Sequence, residues 1–235
     1  MSATRVLILG AGAGGTIIAN KLARELRGEI ARDQVEITAL DKSEININQG
    51  GFTFIPFGLY TPDDISRKRT SLISPRVKLA LGADGEVTQV DVQERQVTVR
   101  SGQVYHYDYL VISTGCVPDV EGVPGLGDDL NTFYTSLDDA TKLQPFVNTV
   151  EKGDIVILAP SMPIPCPGAP GKFTVMLDDY LRHVRHVRDG IQISFVWPVE
   201  FIGPPAYDQL ATDLFASKGV TGHKNYHVSK IDAAK

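Results

Sequence analysis

The stretch TRVLILGAGAGG, residues 4–15, decides the fold, because an apolar run leads directly into a glycine-rich turn. Its first six residues form a run of the kind that is buried on both faces of a parallel sheet. The glycines match the pattern G-x-G-x-x-G at the junction of a strand and a helix. Gly10 permits the tight turn, Gly12 lets the backbone approach a pyrophosphate, and Gly15 allows close packing of helix on strand. The turn, which also includes Gly14, therefore predicts a dinucleotide site at a helix N-terminus.

A helix and a second strand follow the turn. Apolar residues recur at helical spacing over residues 16–27, and Gly28 is the predicted helix stop. The run VEITALD, residues 35–41, predicts a second strand in a right-handed βαβ unit. It ends at Asp41, a carboxylate suited to accept hydrogen bonds from a ribose, and Lys42 is a further candidate cofactor contact. An acid at this position disfavours a ribose 2′-phosphate, and hence NADP.

The remainder of the chain predicts an antiparallel insertion and a second βαβ unit. Residues 45–82 contain several Gly and Pro residues and are expected to be loop and short helix. The fold class is therefore α/β, with a Rossmann-like dinucleotide-binding domain built on a βαβ parallel sheet, an antiparallel β insertion, and a partial second Rossmann-like domain. Residues 86–111 are predicted to be β-rich, and residues 120–129 to be a linker. Helices are predicted near 136–148, 173–188 and 207–218, and strands at 153–160, 191–198 and 225–231. The predicted domains are residues 1–120 and 121–235.

Composition excludes several classes of protein. The chain of 235 residues carries 23 Lys and Arg against 28 Asp and Glu, so its net charge is −5 and it offers no broad basic surface for nucleic acid. The sequence shows no secretory signal, and its longest charge-free stretches contain too many polar or proline residues to span a bilayer. We therefore expect a globular protein on the cytoplasmic side. Two cysteines are too few for a disulfide framework, and we assign no metal site.

The segment YHYDYLVISTGCVP, residues 105–118, resembles the second FAD motif of the pyridine nucleotide-disulfide reductase superfamily. In that motif an Asp precedes a strand that ends in Ser-Thr-Gly, and Asp108, Thr114 and Gly115 match it. The resemblance implies that this turn approaches the flavin nucleotide and that the backbone at Val87 meets the adenine. It therefore implies that the first domain binds FAD rather than NAD.

The second βαβ unit carries no glycine fingerprint. Its first strand is followed by SMPIPCPGAPGKF, residues 161–173, so a second pyrophosphate site is not expected. This stretch instead resembles the Cys-Pro-Gly-Ala-Pro region of sulfide:quinone oxidoreductases and of the flavin subunits of flavocytochrome c sulfide dehydrogenases. INQGGFTFIPFG, residues 47–58, also resembles the segment after the ribose-binding acid in these proteins. The resemblance covers about residues 4–210.

The resemblance implies a redox role for one cysteine. In this family FAD accepts electrons from sulfide through redox cysteines and passes them to quinone, and Cys166 matches one of these cysteines. It lies ahead of the helix predicted near Phe173, and the partial positive charge at a helix N-terminus stabilises a thiolate for persulfide or disulfide exchange. The alternative is a buried, inert cysteine in a proline-rich turn. Cys116 is predicted to pack, and the sequence leaves open whether it can pair with Cys166.

Relatives in this family continue well beyond the length of this chain. The resemblance implies that their remaining part supplies a second redox cysteine, a late FAD contact and a membrane-docking, quinone-binding end. We therefore expect sulfide and quinone as substrates, a homo-oligomer, and either a partner chain or a peripheral membrane contact. Three hypotheses stay open: a sulfide:quinone oxidoreductase-type enzyme, a non-catalytic or split FAD-binding subunit of a redox complex, and a type II NADH dehydrogenase relative, which the missing second fingerprint disfavours.

Overall fold

The computed structural model describes residues 3–119, 121–126 and 131–232. The chain forms two compact units, which are Met1–Asn48 with Asp63–Val117, and Gln49–Pro62 with Pro118–Lys235. The division of the chain into domains at residue 120 stays a prediction.

Twelve strands and six α-helices lie within these described ranges. The strands are β1 Thr4–Leu9, β2 Val35–Asp41, β3 Ile45–Ile47, β4 Ser66–Lys68, β5 Lys78–Leu81, β6 Val87–Asp91, β7 Gln96–Val99, β8 Val104–His106, β9 Tyr109–Ile112, β10 Gly153–Leu158, β11 Ile191–Trp197 and β12 Val220–Lys224. The helices are α1 Ala13–Glu25, α2 Arg27–Ala31, α3 Pro62–Ile65, α4 Leu137–Thr149, α5 Gly168–His183 and α6 Pro205–Ser217. Strands β1 and β2 have the predicted bounds.

A four-stranded parallel sheet in the order β5-β2-β1-β9 forms the centre of the first unit. Strand β1 is apolar at successive positions because both of its faces are covered. Val6 and Ile8 belong to a core cluster with residues of α1, whereas Leu7 and Leu9 belong to another cluster with Val97 of β7. Because the strands are parallel, the carboxyl ends of β1, β2 and β9 lie at the same edge, which is where ligands bind in open α/β sheets.

A three-stranded antiparallel sheet, β6-β7-β8, supplies the predicted β-rich insertion. Val97 and Val99 of β7 are buried, whereas Gln96 and Thr98 between them are only half-buried. This alternation is what the sequence pattern predicted for a strand with one covered face. A further pair, β3 with β4, is antiparallel and lies in the region predicted to be loop and short helix.

A three-stranded parallel sheet in the order β10-β11-β12 forms the centre of the second unit, together with α4, α5 and α6. Trp197 and Phe195 of β11 are fully buried, and their rings stack with centroids 5.6 Å apart. The Phe195 ring also contacts Phe215 of α6 at 5.0 Å. The segment that precedes α3 in the sequence contributes Phe57 to this unit, with its ring 5.1 Å from that of Phe173 in α5.

A buried ion network joins α5 to the end of α6 in the second unit. The side chain of Asp178 has no exposed surface, and it pairs at 2.5, 3.1 and 3.3 Å with Arg188, Arg182 and Lys218. Burial disfavours ionisation of Asp178, but hydrogen bonds from the two arginines and the lysine outweigh it and hold the pKa of this carboxyl below its usual value. The network therefore depends on an ionised Asp178.

Three predicted helix boundaries are wrong, for identifiable reasons. Gly28 does not stop a helix, because α2 runs through it and the interruption falls at Leu26, where φ is −100° and ψ is 21°. Helix α5 begins five residues before its predicted start. Pro170 is compatible with this start, since the first turn of a helix needs no backbone N–H donor. The same helix ends before His186, whose φ of 56° is not helical.

The last predicted strand, residues 225–231, is also wrong. Strand β12 lies just before it in the sequence, and Asn225 ends that strand because its φ of 62° is left-handed. Strand β5 pairs with β2 and is absent from the prediction, because four residues are too few to show a pattern. The predicted linker at 120–129 lies partly outside the described residues.

Candidate functional site

The glycine-rich turn between β1 and α1 is shaped by close backbone packing. Gly10 has a φ of +87°, and a side chain there would lie 2.5 Å from the carbonyl oxygen of Ser113. A side chain at Gly15 would lie 1.8 Å from the carbonyl oxygen of Gly10. The Ser113 hydroxyl donates to that same Gly10 oxygen at 2.8 Å. Glycine is therefore sterically required at both positions.

Gly12 opens a space at the start of α1. A side chain at Gly12 would meet no described atom within 4 Å. Among the described residues no side chain caps this helix end, and its first turn contains no acidic residue. The first N–H groups of an α-helix have no intrahelical acceptor, and the helix N-terminus carries a partial positive charge. Open space and N–H groups without intrahelical acceptors therefore lie together at the start of α1, where the sequence predicted a diphosphate site.

Asp41, at the end of β2, is oriented by the turn. Its Oδ2 accepts from the N–H of Ala11 at 2.8 Å, and its Oδ1 accepts from the N–H of Ser43 at 2.9 Å. The side chain is 12% exposed, and its Oδ1 forms an ion pair at 3.2 Å with Nη2 of Arg69. A carboxylate offers about four acceptor positions, so these three donors leave room for a ribose hydroxyl.

Arg69 is a residue of this site that the sequence analysis missed. Its side chain is 9% exposed, and it donates to the carbonyl oxygens of Ser43, at 2.7 Å, and of Ala11. Burial lowers the pKa of Arg69, while the charge of Asp41 opposes that shift. The available signal was the run RKR, residues 67–69, in which the first two side chains are exposed. Spacing alone does not distinguish the buried member of that run.

The other predicted cofactor residues of the first unit have varied surroundings. A side chain on the first glycine of the turn would lie 2.9 Å from the Cα of Thr114, so the segment after β9 packs directly against the turn. Gly115 follows with a φ of +75°. Val87, at the start of β6, packs partly buried against the core cluster of β1 and β7, whereas Gly14 and Lys42 are exposed. Their binding roles stay predictions.

Asp108, the acid of the second motif, lies at the opposite end of the strands. It accepts from the backbone N–H of Arg5 at 2.7 Å and from the Arg5 guanidinium at 3.3 Å. Hydrogen bonds from the Arg5 side chain and backbone lower the pKa of Asp108. These hydrogen bonds join the start of β9 to the start of β1. The whole length of β9 separates Asp108 from Thr114, so Asp108 lies away from the turn.

Cys166 lies in the second unit, two residues ahead of α5. It is exposed, so the alternative of a buried cysteine is wrong. Its carbonyl oxygen accepts from the N–H of Ala169 at 3.1 Å, and Pro167 at the helix cap position provides no side-chain cap. The early start of α5 therefore brings Cys166 closer to the helix N-terminus than the sequence predicted.

A second residue missed by the sequence analysis contacts Cys166. The hydroxyl of Tyr134 donates to the carbonyl oxygen of Cys166 at 2.8 Å and accepts from its N–H. The two residues are 32 positions apart in the sequence. No motif or periodicity connects them, so only the fold shows the contact.

Cys116 belongs to the first unit and is exposed, so the packing role predicted for it is wrong. Across residues 3–119, 121–126 and 131–232, no group of three or more His, Cys, Asp and Glu side chains is arranged to hold a metal ion. None of the helices in these ranges has both the length and the apolar character that crossing a membrane requires.

A family model for pyridine nucleotide-disulphide oxidoreductases matches residues 4–158, from β1 through the antiparallel insertion to β10. The chain belongs to this family. Pyridine nucleotide-disulphide oxidoreductases of this kind are FAD-binding flavoproteins. The prediction of FAD as the cofactor and the predicted family of FAD-dependent oxidoreductases are therefore confirmed.

Relatives within the family include two mitochondrial sulfide:quinone oxidoreductases. That of Dictyostelium discoideum is 29% identical over 198 residues, which cover 82% of this chain and 42% of the relative. That of Schizosaccharomyces pombe is 31% identical over 207 residues, which cover 81% of this chain and 44% of the relative. The chain therefore spans less than half the length of these two relatives.

A solved structure shows the same fold. The sulfide:quinone oxidoreductase from the hyperthermophilic bacterium Aquifex aeolicus aligns with a TM-score of 0.81 at 24% identity, covering 98% of this chain and 53% of that chain. This likeness confirms the predicted fold class, with Rossmann-like parallel sheets and an antiparallel insertion.

Proposed function

We propose that this chain is the FAD-binding and cysteine-bearing part of an enzyme that oxidises sulfide and passes the electrons to quinone. The observation that carries the proposal is the exposed Cys166, held two residues ahead of α5 within the Cys-Pro-Gly-Ala-Pro segment. The two relatives named as sulfide:quinone oxidoreductases support the same reaction.

Several of the candidate cofactor residues have a role in this proposal. The first turn of α1 beside Gly12 binds the diphosphate of FAD, and Asp41, held by Arg69, accepts a hydrogen bond from the ribose. The backbone at Val87 contacts the adenine, and residues 114–115 approach the flavin nucleotide. FAD, when bound, supplies an acceptor for the two electrons that leave sulfide. Cys166 supplies a thiolate that forms a persulfide with hydrosulfide, in a step that releases one proton and these two electrons.

The turn after β10 argues against NADH as the electron donor. Residues 159–167, between β10 and α5, contain four prolines and no glycine. Proline has no backbone N–H, so this turn lacks the run of N–H groups that binds a pyrophosphate. The type II NADH dehydrogenase hypothesis is therefore not adopted.

The FAD site is tested by Gly12→Ala. The backbone of Gly12, with φ −72° and ψ −159°, accepts a side chain, and the added methyl group would meet no described atom, so the protein should fold normally. The methyl group would instead enter the space assigned to the diphosphate, and we expect at least a ten-fold loss of FAD affinity by fluorescence titration. Gly28→Ala is the control, because its side chain would meet only the end of Arg32 at 3.4 Å. Equal FAD affinity in both variants would refute the diphosphate site.

The sulfide reaction is tested by flavin absorbance. The FAD-loaded chain should bleach anaerobically with sulfide and not with NADH. Cys166→Ser should abolish bleaching and keep FAD bound, whereas Cys116→Ser should bleach as the unchanged protein does. Bleaching that persists in Cys166→Ser would remove this cysteine from the mechanism. Bound FAD that responds to neither donor would favour the alternative, a non-catalytic or split FAD-binding subunit.

The proposal also includes partners and location. Quinones dissolve in lipid, so electron transfer to quinone requires peripheral contact with a membrane surface, here proposed on the cytoplasmic side. A homo-oligomer or a partner chain belongs to the same proposal. Co-sedimentation with lipid vesicles and light scattering test these two statements.

A further inference from the structure

A single hydroxyl group binds both peptide groups of Cys166. The Tyr134 hydroxyl donates to the carbonyl oxygen of Cys166 at 2.8 Å and accepts from its N–H. The same carbonyl oxygen accepts from the N–H of Ala169, in the first turn of α5. A residue that is held at both its N–H and its C=O has little freedom in either backbone dihedral. The direction of the Cα–Cβ bond of Cys166 is therefore fixed as well.

Aromatic packing holds Tyr134 to the same helix. The ring of Phe133 stacks on Phe173 of α5, with centroids 4.3 Å apart and an interplanar angle of 11°. Both of these rings are buried. The ring of Tyr134 meets Phe133 edge-on at 5.8 Å. Phe133 therefore packs against α5, and the next residue, Tyr134, contacts Cys166 just before the same helix.

The geometry points to Tyr134 as a positioning residue for Cys166, and this inference rests on the redox role proposed for that cysteine. By fixing the backbone at Cys166, Tyr134 keeps the thiol at the N-terminal end of α5, a 16-residue helix that has no side-chain cap there. The partial positive charge at a helix N-terminus stabilises a thiolate. Loss of the tyrosine hydroxyl therefore releases Cys166 from this position.

The test uses the full chain carrying Cys116→Ser, which leaves Cys166 as the single thiol. The rate of alkylation by iodoacetamide is measured by intact mass from about pH 6 to about pH 10, in this background and after Tyr134→Phe or Tyr180→Phe. Tyr180 is a matched control, because its hydroxyl donates to Asn148 Oδ1 at 2.6 Å within the same unit. Near-UV circular dichroism establishes that both variants keep their aromatic packing.

We expect Tyr134→Phe to react about two- to five-fold more slowly than the background near pH 7 and at the background rate near pH 10, because a helix N-terminus favours the reaction of a thiol mainly at pH values where thiolates are scarce. Tyr180→Phe should follow the background at every pH. Equal profiles for the two variants, or faster alkylation of Tyr134→Phe at every pH, would overturn the inference. The assay needs neither sulfide nor FAD, so a failure of the proposed sulfide oxidation would be seen separately.

Discussion

Removal of the Arg69 guanidinium tests how the acid of the cofactor site is held. In Arg69→Met, Asp41 keeps its hydrogen bonds from Ala11 and Ser43 but loses its counter-charge, although its side chain is only 12% exposed. Removing one partner of a buried ion pair costs about 3–5 kcal/mol. With a urea m-value of about 2 kcal/mol/M, the unfolding midpoint of the first unit should fall by about 2 M.

Urea unfolding followed by far-UV circular dichroism measures this change. The fluorescence of Trp197, the single tryptophan, is recorded in parallel because that residue lies in the second unit. Arg67→Met is the control, since Arg67 is exposed and donates to the carbonyl oxygens of Asp63 and Ser66. Exposed substitutions of this kind usually change the free energy of unfolding by at most about 0.5 kcal/mol.

Asp41→Asn and the double variant complete a thermodynamic cycle. Because the two side chains are in direct contact, we expect a coupling free energy of about 0.5–3 kcal/mol between Asp41 and Arg69. Equal midpoints for Arg69→Met and Arg67→Met would refute the reasoning. Strictly additive effects of the two single substitutions would refute it as well, because the ion pair would then contribute nothing.

Two further predictions concern the glycine turn and the buried ion network. Gly15→Ala should lower the free energy of unfolding by at least about 1–3 kcal/mol, because its Cβ would lie 1.8 Å from the Gly10 carbonyl oxygen, and Gly28→Ala should not; urea titration compares them. The pKa of Asp178 is lower in the folded than in the unfolded protein, so its stabilisation is present above the unfolded value of about 3.9 and is lost as pH falls through the folded value. The difference in Tm between the unchanged protein and Asp178→Asn should therefore shrink below about pH 4, and a difference that does not vary with pH contradicts this.

The sequence predicted best the parts of the fold that have strong local patterns. Strands β1 and β2 have the predicted bounds because a buried parallel strand is apolar at successive positions and a glycine or an acid marks its end. The turn could be predicted because Gly10 and Gly15 answer steric requirements that no other residue meets, and because Gly12 completes the spacing of the pattern. The ends of later helices and strands were less predictable, since left-handed residues such as His186 after α5 and Asn225 after β12 give no clear signal in the sequence.

Contacts between distant residues could not be predicted. Arg69 contacts Ala11 across 58 positions, and Tyr134 contacts Cys166 across 32 positions. Each contact depends on how strands and loops assemble, and the residue types involved are common on protein surfaces. The sequence therefore supplied candidates for the reactive residues but not the side chains that orient them.

The assignment of residues 49–62 to the second unit has a consequence for synthesis on the ribosome. Phe57 packs against Phe173 and Tyr180, which leave the ribosome long after it does. At a synthesis rate of about 5–20 residues per second, α5 is made on the order of ten seconds after Phe57. During that time the apolar segment of residues 49–62 cannot pack against α5. In a polypeptide that is truncated after residue 117, the same segment would stay exposed permanently. Recombinant production of the nucleotide-binding half alone should therefore yield aggregates unless this segment is replaced by a polar linker.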